Sequence, residues 1–168
     1  NHELPGRKCE FGASRTLAEQ HADLFEGRER LRQRLPHAID PIFTPPWNRC
    51  TQTTADGLVP LEFRVLSRSV GAAPLVMNGL AEVSVAIDWS KHGAAFSAQN
   101  VAQRIGEAIA TSGTVGIMLH HAVMNEDQFV ELEALLDLLH TDRRVECRLM
   151  RDVAALHFAE HAPIPGHD

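Results

Sequence analysis

Apolar and polar positions along the chain alternate between two periods, about 3.6 residues in some stretches and 2 in others. From Ser14 to Arg34 the apolar residues Leu17, Leu24 and Leu31 recur at mostly helical spacing, with His21 and Leu35 on the same register. Ser14 is the expected N-cap and Pro36 the stop, so a long amphipathic helix is predicted. A strand is expected over Ile39 to Thr44, followed by a short helix over Thr51 to Pro60 capped by Thr53 or Thr54. Phe63 to Leu66 reads as a second strand and Gly71 to Gly79 as a loop. Ala81 to Trp89 alternates strictly and is predicted to be one strand ending on Asp88 and Trp89. Ser97 to Ala110 is helical, and Thr114 to Leu119 is a continuous apolar run of the kind that parallel sheets bury on both faces. A helix from Asn125 or Glu126 to Leu139, a strand over Arg144 to Leu149 and a helix over Arg151 to Glu160 complete the pattern.

Strands separated by helix-length segments imply βαβ units and a parallel sheet. The fold class is therefore α/β. About five strands are too few for the usual eight-stranded closure, which leaves an open sheet or an incomplete barrel. Residues 1–160 are expected to form a single α/β domain, with 161–168, rich in proline, as a flexible tail.

Composition narrows the partners. The 168 residues are 44% hydrophobic and carry a net charge of −6, with acidic and basic residues interleaved and no Lys/Arg-rich run. That argues against nucleic acid as the main partner. No apolar run reaches membrane-spanning length and no signal-peptide pattern opens the sequence, so no membrane association is expected. Cys9, Cys50 and Cys147 have no CxxC spacing and are expected as reduced thiols, which slightly favours a cytoplasmic setting.

The chemistry gathers at strand ends. Pro45 and Pro46 donate no N–H, so the strand before them must stop there, and beyond it the chain presents Trp47, Asn48 and Arg49. A plain turn with Arg49 in a surface ion pair is the bland alternative. Asp88 closes the alternating strand, and His120 with His121 follows the continuous apolar run. Carboxyl ends of parallel strands lie along one edge, where ligand sites of α/β proteins are found. His120 suits proton transfer, while alternation turns His121 away from it.

Pro45-Pro46-Trp47-Asn48-Arg49, the strand ending in Asp88-Trp89, and Ile117-Met118-Leu119-His120 resemble, in order and spacing, the later motifs of the polysaccharide deacetylase (NodB-homology) family. Asn1-His2-Glu3 with Lys8, Glu10-Phe11-Gly12 and Arg15 is similar to the segment that follows the metal-binding HxxxH motif in one branch of that family. The resemblance implies a distorted, incomplete (β/α) barrel and a hydrolase that removes an acetyl group from an N-acetylated carbohydrate. It also implies a divalent metal, zinc first, that activates water and polarises the acetyl carbonyl. His120 then matches the histidine that protonates the leaving amine, with Asp88 and Arg49 as orienting charges. Pro46, Trp47, Asn48 and His121 match the substrate surface, and His2, just past the metal histidines, is the candidate metal ligand that the chain offers.

Three departures set the limits of that reading. The family's Thr-Phe-Asp-Asp-Gly motif is not in the sequence, His2 has no histidine four positions on, and Thr44 stands where an arginine often precedes the proline pair. The metal and base motifs are accordingly expected upstream of Asn1, and the 168 residues alone are expected to be inactive. A degenerate relative that binds glycan without hydrolysing it is the alternative. An unrelated metal site built from His2, His92, His120 and His121 has little support from their irregular separation.

Overall fold

The computed structural model describes residues 9–89 and 97–160. Its first helix, α1 (Leu17–Arg34), starts from Thr16 and not from Ser14. The reason is a capping box. The Thr16 hydroxyl accepts from the Glu19 N–H at 3.3 Å, and the Glu19 carboxylate accepts from the Thr16 N–H at 2.8 Å. Ser14 has Leu17 three positions on, which cannot reach back in this way.

The chain then forms β1 (Ile42–Phe43), a single 3-10 turn at Pro46–Asn48, and α2 (Gln52–Leu58). α2 begins earlier than expected, with Thr51 as its N-cap residue; Thr54 lies inside the helix, its hydroxyl accepting from the Thr51 N–H at 3.3 Å. That hydroxyl also donates to Gln20 Oε1 at 2.7 Å, while Gln20 Nε2 donates to the carbonyls of Gly12 and Arg15. Gln20 is fully buried, and this network satisfies both ends of its amide.

After β2 (Val65–Leu66) and β3 (Ala81–Glu82) come β4 (Val85–Asp88), α3 (Ala98–Ser112), β5 (Gly116–Met118), α4 (Glu126–Thr141) and α5 (Met150–Glu160). All pairing is parallel, as the alternation of strands and helices predicts, but among the described residues it is divided between two sheets. One has the order β1-β2-β3 and the other is β4-β5. No closed barrel forms among the described residues.

The expected continuous strand over Ala81 to Trp89 is thus two short strands. Val83 donates its N–H to Leu66, whereas the Ser84 carbonyl accepts from Gly116. The hydrogen-bonding partner changes between adjacent residues, while the alternation of burial runs on unbroken: Ala81, Val83, Val85, Ile87 and Trp89 are all buried. Two further strand expectations are corrected. β5 is only half-buried, because β4 is its single ladder neighbour among the described residues. Arg144 to Leu149 joins no ladder among the described residues; its charged side chains pair locally in solvent, Arg144 with Asp142 and Arg148 with Glu146, and only Val145 packs inward.

The chain resolves into two compact units, one from residues up to Val83 together with those from Met150 onward, the other Ser84–Leu149. In the first, Phe11, Leu24, Leu58, Phe63 and Leu66 form the main core, with Phe43 set edge-on to Phe11 and Phe63 at ring-centroid distances of 5.1 and 5.9 Å. In the second, Ile87, Trp89, Val101, Ile105 and Leu135 pack β4 against α3 and α4. Ser97 caps α3, and Gly113, at φ 71°, closes it in the left-handed conformation that a Cβ would strain. No described helix is long and apolar enough to cross a membrane. The proposed tail, 161–168, lies outside the described residues.

Candidate functional site

Parallel register decides which polar residues of the second unit meet. Asp88 is the last residue of β4 and is paired with Met118, the last of β5, so the chain beyond each strand emerges on the same edge. At that edge His120 Nε2 lies 3.0 Å from Asp88 Oδ1. The carboxylate side chain is 13% exposed and the imidazole 36% exposed. An ionised carboxylate accepts, so Nε2 donates to Asp88, which leaves Nδ1 as the ring nitrogen for proton transfer. A histidine held by a carboxylate through one nitrogen, with the other available, is the minimal device for orienting a proton-transfer group. His120 is kept at the edge by its carbonyl, which accepts from Val123 N–H at 2.9 Å and starts a 3-10 turn, His121–Val123. His121 is exposed within that turn.

In the first unit, β1 ends at Phe43, before the prolines, as their missing N–H groups require. Pro45 is fully buried and anchors the exit. The next turn is tight: Asn48 N–H donates to the Pro45 carbonyl at 2.9 Å. Trp47 and Asn48 both take left-handed backbone, at φ 60° and 55°. Asparagine tolerates that region, whereas a bulky tryptophan is a genuine outlier that costs about 1–2 kcal/mol. The consequence is display. Trp47 is 53% exposed, while Asn48 is tucked inward and Arg49 is half-buried in extended backbone. Strained residues of this kind cluster at binding sites.

The carboxyl ends of β2 and β3 hold a group that reading the sequence missed. Arg68, 3% exposed, donates through Nε to Glu82 at 2.8 Å and through Nη1 to the Ala73 carbonyl at 3.0 Å. Burial pushes the nearby Cys50 thiol up to about 11; the Arg68 charge draws it partly back, and Cys9 and Glu82 add to the rise. Ser67 is also fully buried, with its hydroxyl unpaired among the described residues. The available signal was an arginine directly after an apolar strand, with a glutamate at the polar phase of the next one.

Of the sequence-predicted residues, Asp88 and His120 come together, and Pro46, Trp47, Asn48 and Arg49 occupy one turn of the other unit. His2 and His92 lie outside the described residues. Among the described residues no three His, Cys, Asp or Glu side chains converge to hold a metal. Asp88 and His120 offer one carboxylate and one imidazole, which falls short of the three protein ligands usual in a catalytic zinc site. His157 and His161 stand four apart, yet His161 is also outside the described residues.

Comparison of the chain with protein-family models, curated proteins and solved structures returned no match.

Proposed function

We propose that the chain is the carboxy-terminal portion of a metal-dependent hydrolase that removes an acetyl group from an N-acetylated carbohydrate, built on a distorted, incomplete (β/α) barrel. The observation that carries this reading is the 3.0 Å pairing of His120 with Asp88, two residues from separate strand ends held on one edge. In amide hydrolysis water adds to the acetyl carbonyl, the C–N bond breaks, and the departing nitrogen needs a proton. His120, oriented by Asp88 through Nε2, supplies that proton from Nδ1 when it is in the imidazolium form. Trp47 offers an indole face on which a sugar ring packs, and Pro46 stiffens the turn beneath it. Asn48, Arg49 and His121 are assigned to substrate contacts and to charge orientation. The described residues do not furnish the zinc ligands or the water-activating base, and both are assigned to residues beyond them.

The test is zinc-dependent acetate release from N-acetylated oligosaccharides by the full protein. His120→Ala is expected to lower kcat by about 10²-fold or more while leaving substrate binding in place. Full activity in that variant refutes the acid assignment.

Non-catalytic glycan binding is the second reading, favoured by the displayed, strained Trp47 and by the lack of a metal cluster among the described residues. It predicts quenching or enhancement of Trp47 fluorescence by oligosaccharide, abolished in Trp47→Ala, with no acetate released under any metal.

A further inference from the structure

The amino-terminal ends of β1 and β2 carry a second feature, on the edge of the sheet opposite the Pro45–Arg49 turn and Arg68. α5 packs over Val65, Ala81 and Val83 of that sheet through Ala154, with Val153 and Phe158 beside it. Two consecutive small residues, Ala154 and Ala155, leave the helix short of the sheet next to β1. The gap is a half-open cavity of about 280 Å³, walled by Ile42, Val65, Ala154, Ala155 and Phe158. Its two charged lining residues, Arg64 and Arg151, are exposed, as are Pro41 and Ala155.

Those guanidiniums differ in their partners. Arg64 has no ion pair or side-chain hydrogen bond among the described residues. Arg151 reaches Asp40 at 3.3 Å and Asp152 at 3.8 Å, both from an exposed position. Those two carboxylates offset the Arg151 charge, so Arg64 is the uncompensated guanidinium of the cavity. An apolar well with an uncompensated guanidinium in its lining is complementary to a molecule with an apolar body and one planar anionic head, which a guanidinium grips through two parallel hydrogen bonds.

From this geometry we infer that the cavity binds a free medium-chain monocarboxylate, its hydrocarbon body against Ile42, Val65 and Phe158 and its carboxylate on Arg64. Taking a methylene at about the 30 Å³ share of a water molecule, the volume holds a body of roughly nine carbons. A pocket at the small end of the usual ligand range fits a ligand of that size and excludes long-chain lipids. The site is independent of the Asp88–His120 pair.

The experiment is calorimetric titration of the whole chain with decanoate, octanoate, decanol and decyltrimethylammonium. Decanoate is expected to bind saturably at one site, and octanoate about 15-fold more weakly, at about fourfold per methylene. Decanol should bind at least tenfold more weakly and the ammonium compound not at all. Arg64→Gln, an exposed substitution, should weaken decanoate by about tenfold or more with an unchanged urea midpoint, and Ala155→Phe should abolish binding by filling the well. Equal binding of decanol and decanoate, an Arg64→Gln variant with parental affinity, or no saturable decanoate binding overturns the proposal. So does co-sedimentation with phosphatidic acid vesicles in the absence of any response to free decanoate, since that outcome assigns the Arg64 charge to a lipid surface.

Discussion

Two glycine-to-alanine substitutions in the second unit should move stability in opposite directions, although the chemistry of each is the same. At Gly116 an added Cβ would lie 2.5 Å from the Ser84 carbonyl oxygen, 3.2 Å from its carbon and 3.3 Å from Val85 Cα. All three are backbone atoms of the neighbouring strand, so no side-chain rotation relieves the clash. Reaching ordinary contact at 3.4 Å requires β5 to shift by about 0.9 Å. That shift stretches the 3.1 Å hydrogen bond from Gly116 N–H to Ser84 O beyond use. The lost bond costs about 1 kcal/mol. Overpacking adds about 1–3 kcal/mol, and the smaller entropy of the unfolded alanine chain returns about 0.4–1 kcal/mol. A net destabilisation of about 2 kcal/mol follows. At Gly106, in the exposed interior of α3, an added Cβ meets nothing within 4 Å. There the higher helix propensity of alanine acts alone and should stabilise by about 0.5–1 kcal/mol.

Trp89 and Trp47 make the measurement specific. Trp89 is 1% exposed in the core of the second unit and Trp47 belongs to the first. Urea unfolding followed by Trp89 fluorescence, in a Trp47→Phe background, therefore reports the unit that contains both glycines. Gly116→Ala should lower the midpoint and Gly106→Ala should raise it. A Gly116→Ala variant as stable as its parent would refute the close approach of β5 to Ser84. The register that carries His120 to Asp88 would fall with it.

Three other outcomes are expected. Thr16→Ala removes the capping box of α1 and should cost about 1 kcal/mol, whereas Ser14→Ala should stay within about 0.5 kcal/mol of the parent; thermal unfolding by circular dichroism separates them. Cys147 is exposed and should react quickly with a disulfide reagent at pH 8, whereas Cys50, raised to about 11, should react slowly. Because that folded value lies above the ordinary 9.0, the stabilisation linked to the protonated thiol is complete below about pH 9 and is lost as pH rises through 11, so urea midpoints should fall over that alkaline range. Asp142 is held down to about 2 by hydrogen bonds from the Arg144 side chain and backbone, so any stability it adds is present above about pH 4 and disappears as pH falls through 2. A carboxylate NMR titration should show Asp142 moving toward the ordinary aspartate range in Arg144→Gln, and an unmoved curve would discount the side-chain contact.

Separate units also bear on function. Sequence order suggested one sheet edge shared by the Pro45–Arg49 turn, Asp88 and His120. Pairing instead divides β1 to β3 from β4 and β5, so the acid and its carboxylate belong to one sheet and the displayed indole to the other. The Asp88–His120 geometry consequently depends on the β4–β5 register, and the display of Trp47 on the exit from β1. Variants of each should be separable in kcat and in binding.

Much of this protein was set by local sequence alone. The α1 to α5 helices follow from apolar period and caps, because a helix closes its hydrogen bonds within its own segment. Burial of Ala81, Val83, Val85, Ile87 and Trp89 follows from strict alternation, because a strand's period of two fixes which face each side chain takes. The stop before Pro45 follows from two missing N–H groups. Ladder partners, however, come from elsewhere in the chain. Alternation is the same whichever strand lies alongside, so the switch of pairing between Val83 and Ser84 left no mark in the residue pattern. For the same reason the Arg144 to Leu149 segment looked like a strand and found no sheet to join among the described residues. Tertiary structure alone decided that Arg68 would be buried against Glu82, that Trp47 would stand outward in a left-handed turn, and that Asp88 and His120 would meet. The first and the last rest on long-range register, and for Asp88 and His120 that register depends on the close packing that Gly116 permits.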